Sequence, residues 1–470
     1  MTQPTERPTL VVVASLLAAQ FLTTLDTSIV YVALPSMQAD LRVPDAHLQW
    51  IATAYLVALG GSLLVCGRIA DYRDPRAILQ LGLLLFGAAS LLGGGATVPW
   101  VLVAARALQG LAAAMITPTA LALITIAVQH DSARRRLLSW WSAVGSVGFS
   151  SGALLGGVLV QWLSWRAVLL VNVPLVLLAL AGVRRLPQFP RGSESRSWRH
   201  LDMPGTLLII TGSGSLVFAV SQVPNAGWVS VPVLGGAAMV GAAALALALV
   251  EKTISSPLVP LRILKSKPLL AANGISLVFG VTATSGLFFL VTLFLQHQLR
   301  IEPLLTGLAF LPMALIATAV APVVGRLSDR WSPRLMLVAG LVLIALGLAH
   351  LSRLKPDSNY LLDLLPGMLI VGIGFVPVLV TTVEIATHSV EIKDRGLASG
   401  LVNTTSQIGG ALGIAIYLTT ARSSSANTQV GRGMTLQYGQ AFSLGAALAV
   451  VTCFLVATFY PTSGRAQRSR

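Results

Sequence analysis

Residues 67–76 read GRIADYRDPR, and the pattern returns at residues 325–334 as GRLSDRWSPR. The two copies share Gly, Arg, Asp, Pro and Arg at the same spacing. Self-similarity of this kind indicates that one structural block occurs twice in the chain. Each copy interrupts long apolar segments, so the nature of those segments decides the fold.

The composition places those segments in a membrane. Of 470 residues, 55% are hydrophobic and 10% are charged, whereas soluble domains carry about 25% charged residues. A membrane-spanning helix needs about 20 mostly apolar residues, and the evenly apolar segments do not alternate as barrel strands do. We therefore predict an all-α integral membrane protein with fourteen spans. They cover residues 10–34, 47–67, 76–96, 99–127, 137–160, 165–183, 202–222, 231–250, 268–295, 304–324, 333–351, 360–387, 396–420 and 438–460.

The repeat organises these spans into two halves. Its first copy follows the second predicted span, and its second copy follows the tenth. We predict a six-helix bundle over 1–200, two inserted transmembrane helices and a linker over 201–261, and a second six-helix bundle over 262–470. Parallel repeats related by a two-fold axis along the membrane normal characterise one large class of transporters.

The net charge of +15 follows from membrane topology. Of 32 Lys and Arg residues, 24 lie in the tails and alternate loops of one side, 7 lie on the other side and one lies within a span. Because basic loops stay in the cytoplasm, we expect both termini there. The positive charge should also attract anionic membrane lipids, and we expect no nucleic-acid partner.

Among the ionisable residues within spans, three are candidates for a functional role: Asp26, Arg106 and Glu384. Asp26 and Arg106 both lie roughly 10–13 Å below the outer surface at about 1.5 Å per residue, so they could pair. Burial favours the protonated form of a carboxyl group and a nearby cation favours the ionised form, so moving the cation could load or release a proton. The alternative is a fixed ion pair that locks two helices together. Glu384 comes near the cytoplasmic end of its span and could simply reach headgroup water.

Other polar and small residues in the spans are candidates for a cavity or for helix packing. Each polar residue could line a wet cavity or form an ordinary interhelical hydrogen bond; they are Gln20, Gln109, Asn172, Asn273, Asn403 and Gln407, considered together with Glu384. Four glycines share one face of the fifth span and allow close helix approach, as a static groove or as a sliding surface; they are Gly145, Gly148, Gly152 and Gly156.

The repeated loop carries candidate gating residues. We expect Asp71 to accept hydrogen bonds from the free amides at the start of the third helix and to pair with a nearby arginine. Such contacts would form or break as the cytoplasmic side closes or opens. The alternative is that these loop charges serve only as signals for membrane topology, which would give the same sequence pattern. The candidates are Gly67, Asp71 and Arg76 in the first copy and Gly325, Asp329, Arg330 and Arg334 in the second.

Six motifs in order along the chain carry a family resemblance. They are LDTSIVYVALP (25–35), GRIADYRDPR (67–76), RALQGLAAAMITP (106–118), GSVGFSSGALLGG (145–157), SWRAVLLVNVP (164–174) and ASGLVNTTSQIGGALGIA (398–415). With them the chain resembles the major facilitator superfamily, and within it the fourteen-span branch of drug:proton antiporters, over nearly its whole length. Two positions depart from the family pattern: Ala153 stands where proline is usual, and Asp74 where glycine is usual.

The resemblance implies a secondary active transporter that exports lipophilic small molecules, such as antibiotics, in exchange for protons by alternating access. In related antiporters the residues matching Asp26 and Arg106 are implicated in coupling. We expect a bacterial inner-membrane protein, working as a monomer, whose partners are a small lipophilic substrate, protons and membrane lipids.

Enzymatic chemistry finds no support in the sequence. The chain contains no GxxxxGK[ST] phosphate loop, no HExxH and no cluster of Cys or His. We therefore expect no enzyme activity, no ATP-driven pumping, no cofactor and no metal. Two other functions remain open: a lipid or lipid-linked flippase of the same fold, and a membrane sensor or scaffold that does not transport.

Overall fold

The computed structural model describes residues 10–127, 131–186, 202–253, 261–423 and 437–460, and within these ranges the chain forms helices and their connections without a β-strand. The helices are α1 (Leu10–Leu41), α2 (Asp45–Tyr72), α3 (Pro75–Gly94), α4 (Pro99–Ala127), α5 (Asp131–Trp162), α6 (Trp165–Leu170), α7 (Asn172–Val183), α8 (Met203–Ala226), α9 (Val231–Thr253), α10 (Leu261–Leu264), α11 (Lys267–Ala283), α12 (Ser285–Leu293), α13 (Pro303–Ser328), α14 (Pro333–Leu351), α15 (Leu365–His388), α16 (Arg395–Ser423) and α17 (Tyr438–Phe459). Short π-helical segments extend α12 over Phe294–Gln298 and precede α15 over Tyr360–Leu364. The predicted all-α membrane class is confirmed.

Thirteen segments of the described chain are long and apolar enough to cross a membrane. They match thirteen of the fourteen predicted spans. The remaining one corresponds to α16, which has 29 residues but carries the polar run NTTSQ at 403–407. This polar run lowers the mean hydropathy of α16. At a rise of about 1.5 Å per residue the helix is still long enough to cross the hydrocarbon core of a membrane.

Prolines act differently in the first and sixth spans. The predicted first span ends before Pro35, but α1 continues through this residue to Leu41, so that predicted boundary is wrong. A proline in a spanning helix is tolerated where neighbours satisfy the freed backbone groups. In the sixth span the helix instead breaks at Val171, between α6 and α7. Pro174 follows three residues later and has no N–H to continue the ladder.

The described chain divides into two compact units. The first comprises Met1–Thr206 with Glu302–Leu308, and the second comprises Leu207–Ile301 with Ala309–Arg470. In the first unit α1 packs against α4, α5 and α7, while α3 packs against α4 and α7. In the second unit α11 packs against α15, α16 and α17, while α14 packs against α15 and α17. These five pairings of the first unit therefore recur in the same chain order in the second unit, as expected of a duplicated block.

The repeated loop builds the same helix start in both units. Asp74 is the N-cap of α3 and its side chain accepts a hydrogen bond from the Arg76 amide. Ser332, at the matching position, is the N-cap of α14 and accepts from the Leu335 amide. A proline occupies the first helical position in both cases, where its fixed φ suits the helix. Asp71 lies in the last turn of α2, and its side chain lies outside the described part of the structure, so the contacts expected of it stay a prediction.

The arginine after that proline makes an equivalent contact in each unit. Arg76 donates to the carbonyl oxygens of Arg184 and Leu186, directly after α7. Arg334 donates to the carbonyl oxygen of Ala457, in the last turn of α17. The last carbonyls of a helix have no partner within it and carry partial negative charge, so a guanidinium stabilises them.

Candidate functional site

A buried ion pair lies at the centre of the first unit. Nη1 of Arg106 on α4 donates to Oδ2 of Asp26 on α1 at 2.6 Å. The side chains are 2% and 0% exposed. Asp26 and Arg106, for which the sequence predicted a similar depth in the membrane, are therefore in direct contact. Two charges removed from water in this way need good geometry and additional hydrogen bonds to offset the loss of solvation.

The guanidinium of Arg106 is held on several sides. Its Nε donates to the carbonyl oxygen of Ile51 at 3.3 Å, and Nη1 also donates to Oε1 of Gln109 at 2.8 Å. The ring of Tyr55 on α2 lies under the guanidinium, 4.4 Å from ring centroid to Cζ. Stacking of this kind stabilises a desolvated cation by about 2 kcal/mol. Arg106 is consequently fixed to α2 as well as to Asp26.

The second oxygen of Asp26 accepts from two amides. Nδ2 of Asn172 donates to Oδ1 at 2.7 Å, and Nε2 of Gln109 donates to it at 3.4 Å. The same Nε2 donates to Oγ of Ser90 on α3 at 2.8 Å. Five helices thus meet around one carboxylate, and we refer to the residues as the Asp26 cluster: Asp26, Tyr55, Ser90, Arg106, Gln109 and Asn172.

Local structure explains how these side chains converge. Arg106 and Gln109 are three residues apart and therefore share one face of α4. Asn172 is the first residue of α7, directly after the break at Val171. Sequence reasoning selected Asp26 and Arg106 as a pair and the two amides only as general cavity candidates. It missed Tyr55 and Ser90, because a tyrosine or a serine in an apolar span gives no sign of its partner.

The glycine face of α5 lies directly against α1. A Cβ at Gly148 would stand 3.0 Å from the Phe21 carbonyl oxygen, and one at Gly156 would stand 2.7 Å from the Ile29 carbonyl oxygen. A Cβ at Gly145 would meet the flexible end of Gln20, at 2.8 Å from Nε2, and would be in ordinary contact with Cγ2 of Thr24 at 3.8 Å. The predicted packing groove is thus occupied by the helix that carries Asp26.

The other predicted cavity residues do not join the Asp26 cluster in the structure. Asn273 on α11 donates to the Leu269 carbonyl oxygen and accepts from Thr405 on α16. Asn403 is exposed and Gln407 is half-buried. Glu384 lies in the last turn of α15, with Oε1 3.9 Å from Nδ1 of His388.

The remaining residues of the repeated loop have open surroundings. Gly325 is exposed and a Cβ there would meet nothing within 4 Å, whereas a Cβ at Gly67 would meet Pro118 at 4.0 Å. Asp329 and Arg330 are exposed in the turn after α13. Neither glycine is therefore required by a close helix approach in this structure.

These features define a class of protein before any comparison. A polytopic helical membrane protein, built from a duplicated six-helix block, carries a buried, hydrogen-bonded ion pair inside one block. Ionisable residues in such a position mark ion or substrate pathways in membrane carriers.

Comparison with known proteins identifies the family. Residues 16–414 match the Major Facilitator Superfamily. The chain is 41% identical to a puromycin resistance protein of Streptomyces alboniger over 87% of this chain and 81% of the relative. It is 37% identical to a cephamycin export protein of Amycolatopsis lactamdurans over 95% and 91% of the two chains. The chain belongs to the Major Facilitator Superfamily, and it is a transporter and not an enzyme.

Solved structures agree on the fold. A crystal structure of a nucleoside transporter superposes with a TM-score of 0.67 over 96% of this chain and 100% of the other, at 13% identity. A D-xylose-proton symporter gives 0.66 over 96% and 98%, at 11% identity. At this identity the likeness concerns the fold alone, and it confirms the predicted major facilitator architecture.

Proposed function

We propose that the protein is a secondary active transporter that exports lipophilic small molecules in exchange for protons by alternating access. The observation that carries this proposal is the buried pair of Asp26 and Arg106. A carboxylate without solvent contact is useful to a carrier if it binds a proton in one state and releases it in another. The names of the relatives, a puromycin resistance protein and a cephamycin export protein, support the direction of transport and the class of substrate.

Coupling follows from the energetics of the pair. Removing one charge of a buried ion pair costs about 3–5 kcal/mol, because the other charge stays buried without compensation. Protonation of Asp26 removes its charge in the same way, while contacts from Ile51, Tyr55 and Gln109 keep Arg106 in place. The protonated state therefore favours an arrangement in which α1 and α4 have separated or water has entered. Substrate binding that favours one of these arrangements would then be linked to proton release.

The chemistry of the cluster also bears on the substrate. Because the charge of Asp26 is balanced by Arg106, the cluster favours neutral or singly charged molecules over dications, which would require more than one carboxylate. Puromycin and cephamycin, which appear in the names of the relatives, are suitable first compounds for a transport assay. We propose a monomer in the bacterial inner membrane, with both termini in the cytoplasm and anionic lipids around its basic loops. No nucleic-acid partner enters this proposal.

The test is substrate-driven proton movement in liposomes that contain a pH-sensitive dye. Wild type, Asp26→Asn and the control Asp40→Asn would be compared with a panel of cationic, neutral and anionic lipophilic compounds. Asp40 is a matched control because it also lies on α1 and pairs with an arginine, Arg166, yet its side chain is 47% exposed. We expect proton movement in wild type and in Asp40→Asn, and its loss in Asp26→Asn. Proton movement that survives in folded Asp26→Asn would make the pair a structural lock.

A further inference from the structure

The amide of Asn172 is bonded at one end only. Its Nδ2 donates to Asp26, but its Oδ1 is buried and has no hydrogen-bond partner among the described residues. The amide of Gln109 in the same cluster is bonded at both ends, since Nε2 donates to Ser90 and Oε1 accepts from Arg106. Buried polar atoms are nearly always paired, so the free Oδ1 requires an explanation.

The free oxygen makes this amide able to turn. The terminal torsion of asparagine is broad and roughly two-fold, and its oxygen and nitrogen are nearly equal in size. A half-turn exchanges the two atoms and breaks only the bond to Asp26, because Oδ1 has no bond to lose. The same turn in Gln109 would break bonds at both ends. Asn172 is also the first residue of α7, two residues before Pro174, which has no N–H to bond back across this point.

The two protonation states of Asp26 need opposite partners. An ionised carboxylate only accepts, and Arg106, Gln109 and Asn172 all donate to it. A protonated carboxyl group carries one O–H that needs an acceptor. Oε1 of Gln109 already accepts from Arg106, and the Arg106 guanidinium has no acceptor. Of the three side chains that bond Asp26, Asn172 alone has an oxygen that accepts no hydrogen bond in this structure.

We propose that Asn172 is a two-state positioning residue for proton loading at Asp26, which rests on the proposed function. With Asp26 ionised, Nδ2 donates to the carboxylate; with Asp26 protonated, the turned amide accepts the O–H at Oδ1. A proton from the aqueous phase adds to the carboxylate, and no other covalent bond forms or breaks.

The groups facing Asp26 leave this role to Asn172. The charged or titratable side chains are Arg106 from α4 and Tyr55 from α2, while α3 contributes Ser90 through Gln109. On the opposite side of α1, the packed helix α5 presents glycines. None of the described contacts offers a second free acceptor beside the carboxyl group.

Infrared difference spectroscopy of the protein in liposomes tests the proposal. Acidification should produce a carboxylic acid C=O band that is absent in Asp26→Asn. In Asn172→Leu the O–H loses its acceptor, so this band should move to higher wavenumber. The matched control Asn273→Leu, which removes an in-span asparagine of the second unit, should leave the band in place.

A second measurement does not depend on a variant that folds. With asparagine labelled at the side-chain carbonyl carbon, wild type should show an amide C=O band that moves to lower wavenumber on acidification.

The outcomes separate the two levels of the proposal. No carboxylic acid band that depends on Asp26 would overturn proton loading and the role of Asn172 together. An Asp26 band that Asn172→Leu leaves unchanged, or a labelled amide that does not move, would overturn the role of Asn172 and leave proton loading standing.

Discussion

Replacing Gly152 with alanine should separate α1 from α5. A Cβ at this position would stand 2.7 Å from the Leu25 carbonyl oxygen and 3.2 Å from the Ile29 amide nitrogen. The first distance is roughly 0.8 Å shorter than an optimal contact of about 3.5 Å. Both atoms belong to the backbone of α1, so no side-chain rotation relieves the clash. One helix must shift, and the affected turn of α1 contains Asp26.

The magnitude follows from two opposing terms. Inserting a methyl group into a well-packed contact costs about 1–3 kcal/mol, while replacing glycine in a helix by alanine gains about 0.5–1 kcal/mol. We expect Gly152→Ala to lose about 1–2 kcal/mol of unfolding free energy. The control is Gly241→Ala on α9, where a Cβ would meet nothing within 4 Å. That variant keeps only the favourable term and should be neutral or slightly stabilised.

Thermal unfolding in one detergent, together with the liposome transport assay, measures both effects. Gly152→Ala should unfold at a lower temperature than wild type, and Gly241→Ala at an equal or higher one. Because the shifted turn carries Asp26, Gly152→Ala should also lower proton-coupled transport. Equal unfolding temperatures for the two variants would show that α1 and α5 are not in contact as described.

Three further predictions concern other contacts. Tyr55→Phe keeps the ring under the guanidinium and loses only the long hydroxyl contacts with Thr27 and the Thr23 carbonyl oxygen. It should therefore be more stable in thermal unfolding than Tyr55→Leu, by about 2 kcal/mol for the missing ring; equal effects would exclude the ring contact. Arg76→Gln and Arg334→Gln should each lower unfolding stability by about 1 kcal/mol through lost bonds to helix carbonyls, and an effect in one unit alone would contradict the repeat. Burial, and then the charge of Glu384, raise the pKa of Tyr460 above its usual 10.0, so the folded state keeps its proton longer than the unfolded state. Stability should therefore fall as pH rises above about 10, less steeply in Tyr460→Phe; identical pH profiles would refute it.

Most of the fold could be predicted from the sequence because a bilayer imposes simple rules on composition and length. The spans, the repeat and the class follow from apolar run length and from the two related loops. The helix ends were less predictable. Whether α1 continues past Pro35 depends on the residues that pack around the proline and not on the proline itself. The cap at Asp74 was also missed, although a residue before a proline at a helix start is a natural N-cap.

The site could be predicted only in part. Depth along a helix can be counted, so the sequence indicated that Asp26 and Arg106 could meet. Rotation about each helix axis and lateral helix order cannot be counted, and these decide which polar residues converge. For this reason Asn172 and Gln109 joined the cluster while Asn403 did not, although all three looked alike as polar residues in spans.

The two faces of α1 suggest that proton binding and helix movement are mechanically linked. Thr24 and Ser28 lie one turn apart on the face towards α5, whereas Asp26 lies two residues from each and points to the opposite side, towards α4 and α7. The α5 face is backbone against backbone and the Asp26 face is polar. A change of charge at Asp26 should thus move α1 and α5 together relative to α4. Spin-label distances should stay constant between α1 and α5 and change between α1 and α4 when wild type is compared with Asp26→Asn. A change between α1 and α5 with a constant distance to α4 would refute this linkage.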